Sequence, residues 1–423
     1  MHSTTVCAFQ PERSLLSLHT VKIHLPSPKT KSMKQEKCSK APHNTQADVS
    51  KSIIFLLAAS LLFVTGCKKE LTSNNAESDK AESLAMQANN AKAPAIVVQP
   101  GTSIQAAINA VPNGSVIKIL QGTYSESIVV NKPGITLTGE GNVVIQNPGD
   151  VSIGIQVVKG ADGFALSNVT VQGFKDRAVE IKEINGLLLS HVTAIGNNKE
   201  EFGLFVQYCT NGTIEHCEAT GHTDTGIFVG ESTGVSLAQN ESFANTIGIE
   251  TENASRITID KNHMHDNSAG ILCLLVPGKS TSESSNITIT KNQIRDNNHA
   301  NLQTDPSELE FILPTGIGIL ILGVDNMLVE DNHVTGNQYT GIGVVTTAIL
   351  GPTPGIDPVS DNVKVVSNQV KNNGFNPQSL YFPTYFASDL LWLGPDFGAT
   401  GTGNCWSKNL YDTSFPATLP SCQ

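Results

Sequence analysis

Eight segments of this chain align on one another without gaps: FALSNVTVQGF (164–174), LLLSHVTAIGN (187–197), GTIEHCEATGH (212–222), VSLAQNESFAN (235–245), ITIDKNHMHDN (257–267), ITITKNQIRDN (287–297), MLVEDNHVTGN (327–337) and VKVVSNQVKNN (363–373). Their sixth positions are Val169, Val192, Cys217, Asn240, Asn262, Asn292, Asn332 and Asn368, separated by 23, 25, 23, 22, 30, 40 and 36 residues. In each segment apolar and polar residues alternate and a polar corner follows. Gly-Ile or Gly-Leu usually comes next, as at Gly203, Gly226, Gly248, Gly270 and Gly341. Alternation over such short runs specifies strands, because a helix needs a longer run with a period of 3.6. A leucine-rich repeat has a similar length, but its leucine-asparagine consensus is absent.

A repeat of about 22 residues that holds two or three short strands and no helix makes one turn of a parallel β-helix. Equivalent residues of successive turns then stack about 4.8 Å apart, the ordinary strand spacing. Asn240, Asn262, Asn292, Asn332 and Asn368 are therefore expected to form a ladder at an inside corner, their amides bonding one to the next. An open coil exposes its apolar interior at the end and needs a cap. TSIQAAINAVPNG (102–114) offers a helix for this: Thr102 with Gln105 is a capping box, Ile104, Ala107, Ile108 and Val111 share a face, and Pro112 and Gly114 end it. The expected fold is all-β, a single-stranded right-handed parallel β-helix over residues 96–423 with a short N-terminal capping helix.

SIQAAINAV, GTYSESIVV and ITLTGEG, within residues 101–141, resemble the opening of right-handed parallel β-helix proteins, which include pectate lyases and related polysaccharide enzymes. GIFVGES (226–232), GIETENA and GILCLLVPG are similar to a narrower group of exported bacterial β-helix-repeat proteins of undefined activity. The resemblance spans most of residues 96–423 and implies the fold more sharply than any reaction.

The strongly apolar run SIIFLLAASLLFVTG (52–66) follows Lys51 and ends at Cys67. It is too short to span a hydrocarbon core, which takes roughly 20 helical residues, and has the form of an export signal. Val64-Thr65-Gly66-Cys67 resembles the lipobox of bacterial lipoproteins, which implies a lipid on Cys67. Residues 49–67 thus read as a lipoprotein signal and the polar, Ala/Asn/Ser-rich residues 68–95 as a flexible tether. Residues 1–48 read as a misannotated or disordered extension, with initiation at Met33 or Val49. A formal charge of −11 with no basic run in the body of the chain argues against nucleic acid, whose phosphates need clustered cations.

Strand alternation directs Ile257, Ile259, Asn262 and Met264 inward and His263 and His265 outward. The repeat register stacks His263 between Glu241 and Gln293, and His265 between Phe243 and Arg295, with His216 and Glu218 one coil back. Lys261 and Lys291 complete the stripe. Such a stripe suits a sugar-acid polymer, where a cation pairs with the uronate carboxylate and a base takes the proton beside it. It also suits a plain solvated strand face.

Glu250 and Glu252 face outward elsewhere, between Phe228 and Gly230 before and Leu272 and Leu274 after. A turn over 272–284 is expected to cover them, raising their pKa values as a general acid requires. Paired carboxylates there leave Ca²⁺ open, as they do an ion pair with Arg256 or a lysine. His222 and Asp224, at a corner where other repeats carry Asn, make either a base with its orienting acid or a corner hydrogen bond.

No His-Glu-x-x-His, P-loop or nucleotide motif occurs, and Cys209 and Cys217 lack a second metal-ligand pair, so no cofactor is expected. Long turns at 272–284, 298–316 and 346–361 are expected to build a binding groove over coils 240–340. Cys405 and Cys422 are placed to bridge and pin the C-terminal tail, leaving a free thiol among Cys209, Cys217 and Cys273. Trp392 and Trp406 serve packing or a sugar platform.

The expected protein is a monomeric, lipid-anchored component of the bacterial cell envelope at the outer membrane. It binds or processes an acidic or neutral polysaccharide, with lyase or epimerase chemistry if it is an enzyme. A non-catalytic envelope or surface scaffold and a periplasmic maturation factor are the alternatives.

Overall fold

A computed structural model describes residues 95–394, Phe397 and residues 401–423, so the expectations for residues 1–94, Cys67 included, lie outside it. Alternating residues such as Ile257-Thr258-Ile259 extend into strands, and glycines and asparagines turn the chain between them. One coil holds Ser255–Asp260, then His263–His265, then Ala269–Leu274. Each strand pairs in parallel with its equivalent in the next coil: Ile257 with Ile287, Met264 with Ile294, Ile271 with Ile319. Three walls result. The first two form one 19-stranded sheet, joined through long early strands such as Val116–Ser125, and the third is an 11-stranded sheet.

Inward positions stack into apolar columns. Ile214, Leu237, Ile259, Ile289, Val329, Val365 and Trp406 succeed one another along the first wall. Ile227, Ile249, Ile271, Ile319, Ile342 and Leu390 do so along the third, and all are buried. Fully burying each such side chain contributes roughly 1.5–3 kcal/mol. A slip of one residue would turn a whole column out to solvent, so the alternation fixes the register.

The corner between the first and second walls is lined by amides. Asn240, Asn262, Asn292, Asn332 and Asn368 each pass their backbone N–H to the side-chain oxygen of the next, and the row continues to Asn409. The residue before each ladder asparagine from Asn240 on is left-handed, with φ of 55–58° at Gln239, Lys261, Lys291, Asp331, Ser367 and Lys408. That conformation costs an L-residue roughly 1–2 kcal/mol, which the ladder bonds offset. The corner between the second and third walls carries a second row, His222, Asn245, Asn267, Asn297, Asn337 and Asn373. It ends on Asp389, whose other oxygen accepts the N–H groups of Asp412 and Thr413.

At the N-terminal end lies a helix, α1 (Ile104–Ala110), with Ile104 and Ile108 buried. Its N-cap differs from the capping box expected of Thr102 and Gln105. Ser103 caps it by accepting from Ala106 N, because Thr102 bonds back to Gln99 and the Gln105 amide pairs with the backbone of Val129. Glu126 of the first coil accepts the N–H groups of Ile104 and Gln105, where a carboxylate meets the positive end of the helix. At the other end Cys405 and Cys422 form a disulfide, and Trp406 N donates to Pro420 O. Trp406 is buried and Trp392 packs against it, while Cys209, Cys217 and Cys273 are free thiols in the interior.

The long turns do not flank the second wall. Residues 309–314, 349–350 and 382–386 fold over the outer face of the third wall, against Leu272, Leu274, Leu320 and Leu322. They make a satellite apolar core with a cavity of about 50 Å³. The outward leucines of these strands explain the choice, since they offer the turns an apolar surface to bury.

Candidate functional site

The second wall brings Glu241, His263 and Arg295 together on its open side. Glu241 pairs with His263 across adjacent coils, and His265 stands between Phe243 and Arg295 in the neighbouring column. His263 Nδ1 lies 3.3 Å from Glu241 Oε1, and its Nε2 accepts a hydrogen bond from Arg295 Nε at 3.2 Å. A guanidinium nitrogen only donates, so Nε2 carries the lone pair and Nδ1 the proton, which faces Glu241. This is a neutral imidazole oriented by a carboxylate, with its basic nitrogen held against a cation. Partial burial, then the neighbouring His265 and Arg295, lower the pKa of His263 against the opposing pull of Glu241.

Both nitrogens of His265 face carboxylates, Nδ1 at 2.7 Å from Asp266 and Nε2 at 3.0 Å from Glu241, and its ring stacks on Phe243 with centroids 5.1 Å apart. These contacts hold that ring in place. The side chains of His263 and Glu241 are 30% and 46% exposed, open enough to meet a polymer. Of the other members of the stripe, Glu218 stacks beneath Glu241 and burial, then Glu241, raises its pKa, while Lys261 pairs with Asp260. His216 stands apart at a corner, stacked on His191.

Glu250 and Glu252 lie on the third wall, 2% and 8% exposed. The turn 272–284 expected over them does reach Glu252, with a lysine and not as an apolar flap, while at Glu250 a different turn meets the carboxylate. The turn 298–316 brings a third carboxylate, so that Asp224, Glu250 and Glu310 offer oxygens within 4.8 Å of one another, while Lys279 pairs with Glu252 at 2.6 Å. Burial, then the neighbouring acids, pushes Asp224 and Glu250 well above the usual carboxylate range, and Glu310 rises to about 7 chiefly through burial. Burial also raises Glu252, against the pull of Lys279. Thr225 Oγ lies 2.9 Å from Asp224 and 2.6 Å from Glu250, and its single proton can serve only one of them. The other contact takes a protonated carboxyl. The cluster therefore holds at least one carboxyl proton.

His222 and Asp224 do not form a base with its orienting acid. His222 is fully buried inside the corner, its Nε2 3.4 Å from Ala194 O and its backbone N–H donating to Asn245, whereas Asp224 faces out to Glu250. The chain turns between the walls over these residues, so their i, i+2 spacing does not put them on one face. Burial lowers the His222 pKa to about 4.

A model of the right-handed β-helix region matches residues 153–277 and 276–384, more than half of the chain. The chain belongs to the right-handed β-helix family. Solved β-helices similar to it include the A-module of the mannuronan C-5 epimerase AlgE4 of Azotobacter vinelandii (16% identity, 78% of this chain and 98% of that chain, TM-score 0.49). The periplasmic alginate epimerase AlgG (11%, 74% and 83%, 0.48) and the pectate lyase Pel9A (14%, 78% and 81%, 0.44) are others. At these identities the likeness is one of fold. No curated protein sequence matches the chain.

In this β-helix the site residues missed by sequence reasoning are Glu310, Lys279 and Thr225, together with the contact of Asp266 on His265. Glu310 sits in DPSELEFILP, where an acid among apolar residues was the available signal; its partner wall was not readable from local pattern.

Proposed function

We infer that this β-helix binds an acidic polysaccharide along its open second wall and processes it there, with His263 as general base and Arg295 as carboxylate anchor. The observation that carries this reading is the Arg295 Nε–H···Nε2 His263 contact with Glu241 on Nδ1, which joins a basic lone pair to a cation on an accessible strand face. A uronate carboxylate draws Arg295 onto itself, frees the Nε2 lone pair and is partly neutralised, which acidifies C5. His263 takes the C5 proton, and the electron pair moves into the carboxylate as an enolate held by Arg295. If the C4–O4 bond then breaks, O4 leaves with its electron pair, takes up a proton and a C4=C5 double bond forms. If a proton instead returns on the other face, the centre is inverted.

The test compares polyuronates with their methyl esters and with neutral polymers, following unsaturated ends by absorbance and inverted centres by proton NMR. Turnover of the free acids alone, lost in Arg295→Ala, supports the reading; equal turnover of the methyl esters sinks it. A second reading, the non-catalytic envelope scaffold, is favoured by the long turns, which close on the third wall and leave the stripe without flanking walls. Binding of polymers with no turnover of any would establish it. Anchoring at Cys67 in the outer membrane belongs to both readings. Labelling with radioactive palmitate tests it, since Cys67→Ser should abolish the label and retained label would refute the anchor.

A further inference from the structure

The same corner of the second wall has the makings of a metal centre. Glu241 Oε1 is 3.3 Å from His263 Nδ1 and 3.0 Å from His265 Nε2, and all three donor atoms lie within 4.8 Å of one another. Donors about 2.0–2.2 Å from a zinc ion lie roughly 3–3.5 Å apart in tetrahedral or octahedral arrangements, so these atoms already sit near the vertices of a coordination shell. The three ligands stand on paired strands of adjacent coils, which fixes their backbones.

Two contacts prepare His265 in particular. Asp266 Oδ2 lies 2.7 Å from Nδ1, the carboxylate contact that orients metal-binding imidazoles and leaves Nε2 as the ligand. Phe243 stacks on the ring at an interplanar angle of 5° and fixes its plane toward Glu241. Two imidazoles and one carboxylate suit zinc, nickel and copper, not calcium or magnesium, which take oxygen shells. The exposed side of His263 and Glu241 leaves an approach for the ion and room for a further water ligand.

We propose that Glu241, His263 and His265 bind one divalent transition ion of the zinc, nickel or copper class. Binding through His263 Nδ1 moves the ring proton to Nε2, where it would face Arg295 Nε–H, so Arg295 turns away. His265 gives up its Nε2 proton to solvent. A metal-bound His263 has no lone pair for a substrate proton, and the ion therefore silences the base. That consequence rests on the catalytic reading above; the binding does not.

The test is calorimetric titration of zinc chloride into purified, chelator-stripped protein without a histidine tag, with cobalt(II) absorption to report nitrogen and oxygen coordination. A single saturable ion per chain is expected. Affinity should fall about 10–100-fold in Asp266→Asn and by at least as much in Glu241→Gln and His265→Ala. It should be unchanged in His216→Ala. Absence of saturable binding, or binding indifferent to Glu241→Gln and His265→Ala, overturns the proposal. Titration needs no turnover, so a protein inactive on every polymer leaves this result standing.

Discussion

Asn292 shows what one ladder residue holds. Its Oδ1 accepts from both the backbone N–H and the side-chain amide of Asn262, at 2.8 and 3.0 Å, and its own amide donates to Ile259 O and Asn332 Oδ1, each at 2.9 Å. All these groups are buried, and each one left without a partner costs about 1–3 kcal/mol. Asn292→Ala is expected to destabilise the fold by several kcal/mol, read as a lower calorimetric Tm, whereas a change within 0.5 kcal/mol would contradict a ladder that carries load. The ladder residues were legible because they recur at one position of every repeat from Asn240 on. His222 was legible only as an exception to the second row. Its inward aim follows from a turn between the walls, which no local pattern encodes.

The turn 275–284 is tied to the third wall by a few polar contacts. Lys279 pairs with Glu252, and Asn253, at φ 48°, exchanges hydrogen bonds with Val276 and donates to Thr281 O. Lys279→Ala leaves the Glu252 carboxyl nearly buried without its cation, at a cost of about 1–3 kcal/mol. Amide hydrogen exchange in 275–284 should accelerate in that variant, and unchanged protection would show that the turn is held by packing instead. Strands and their register were readable because alternation specifies a face and the repeat specifies a neighbour. The destinations of the long turns were not. They depend on Leu309 and Leu313 meeting Leu272, Leu274, Leu320 and Leu322, residues far apart in sequence whose attraction has no period. Outward leucines on the third wall were the one clue, and they pointed to the covered face correctly but to the wrong turn for Glu250.

Across the molecule, buried carboxyls set the response to pH. Burial raises Glu200 from 4.5 to about 8 and Glu310 from 4.5 to about 7, and Asp224 and Glu250 shift the same way. The folded chain holds protons there that the unfolded chain releases. Their contribution is complete below about pH 4.5 and is lost as pH rises through 7 and 8, at roughly 1.4 kcal/mol per pKa unit. Tm should therefore fall between pH 5 and 9, and Glu200→Gln should flatten the fall; a Tm that rises over that range would contradict the assignment. Polymer chemistry is the larger claim, and it concerns an open wall that runs the length of the solenoid. Its most direct measurement is the turnover of a polyuronate by the wild-type protein and by His263→Ala, whose side chain lies outside the core. Turnover is expected in the first and a loss of about 10²–10⁴-fold in the second, the range a positioned base contributes. Equal rates in the two proteins would contradict it.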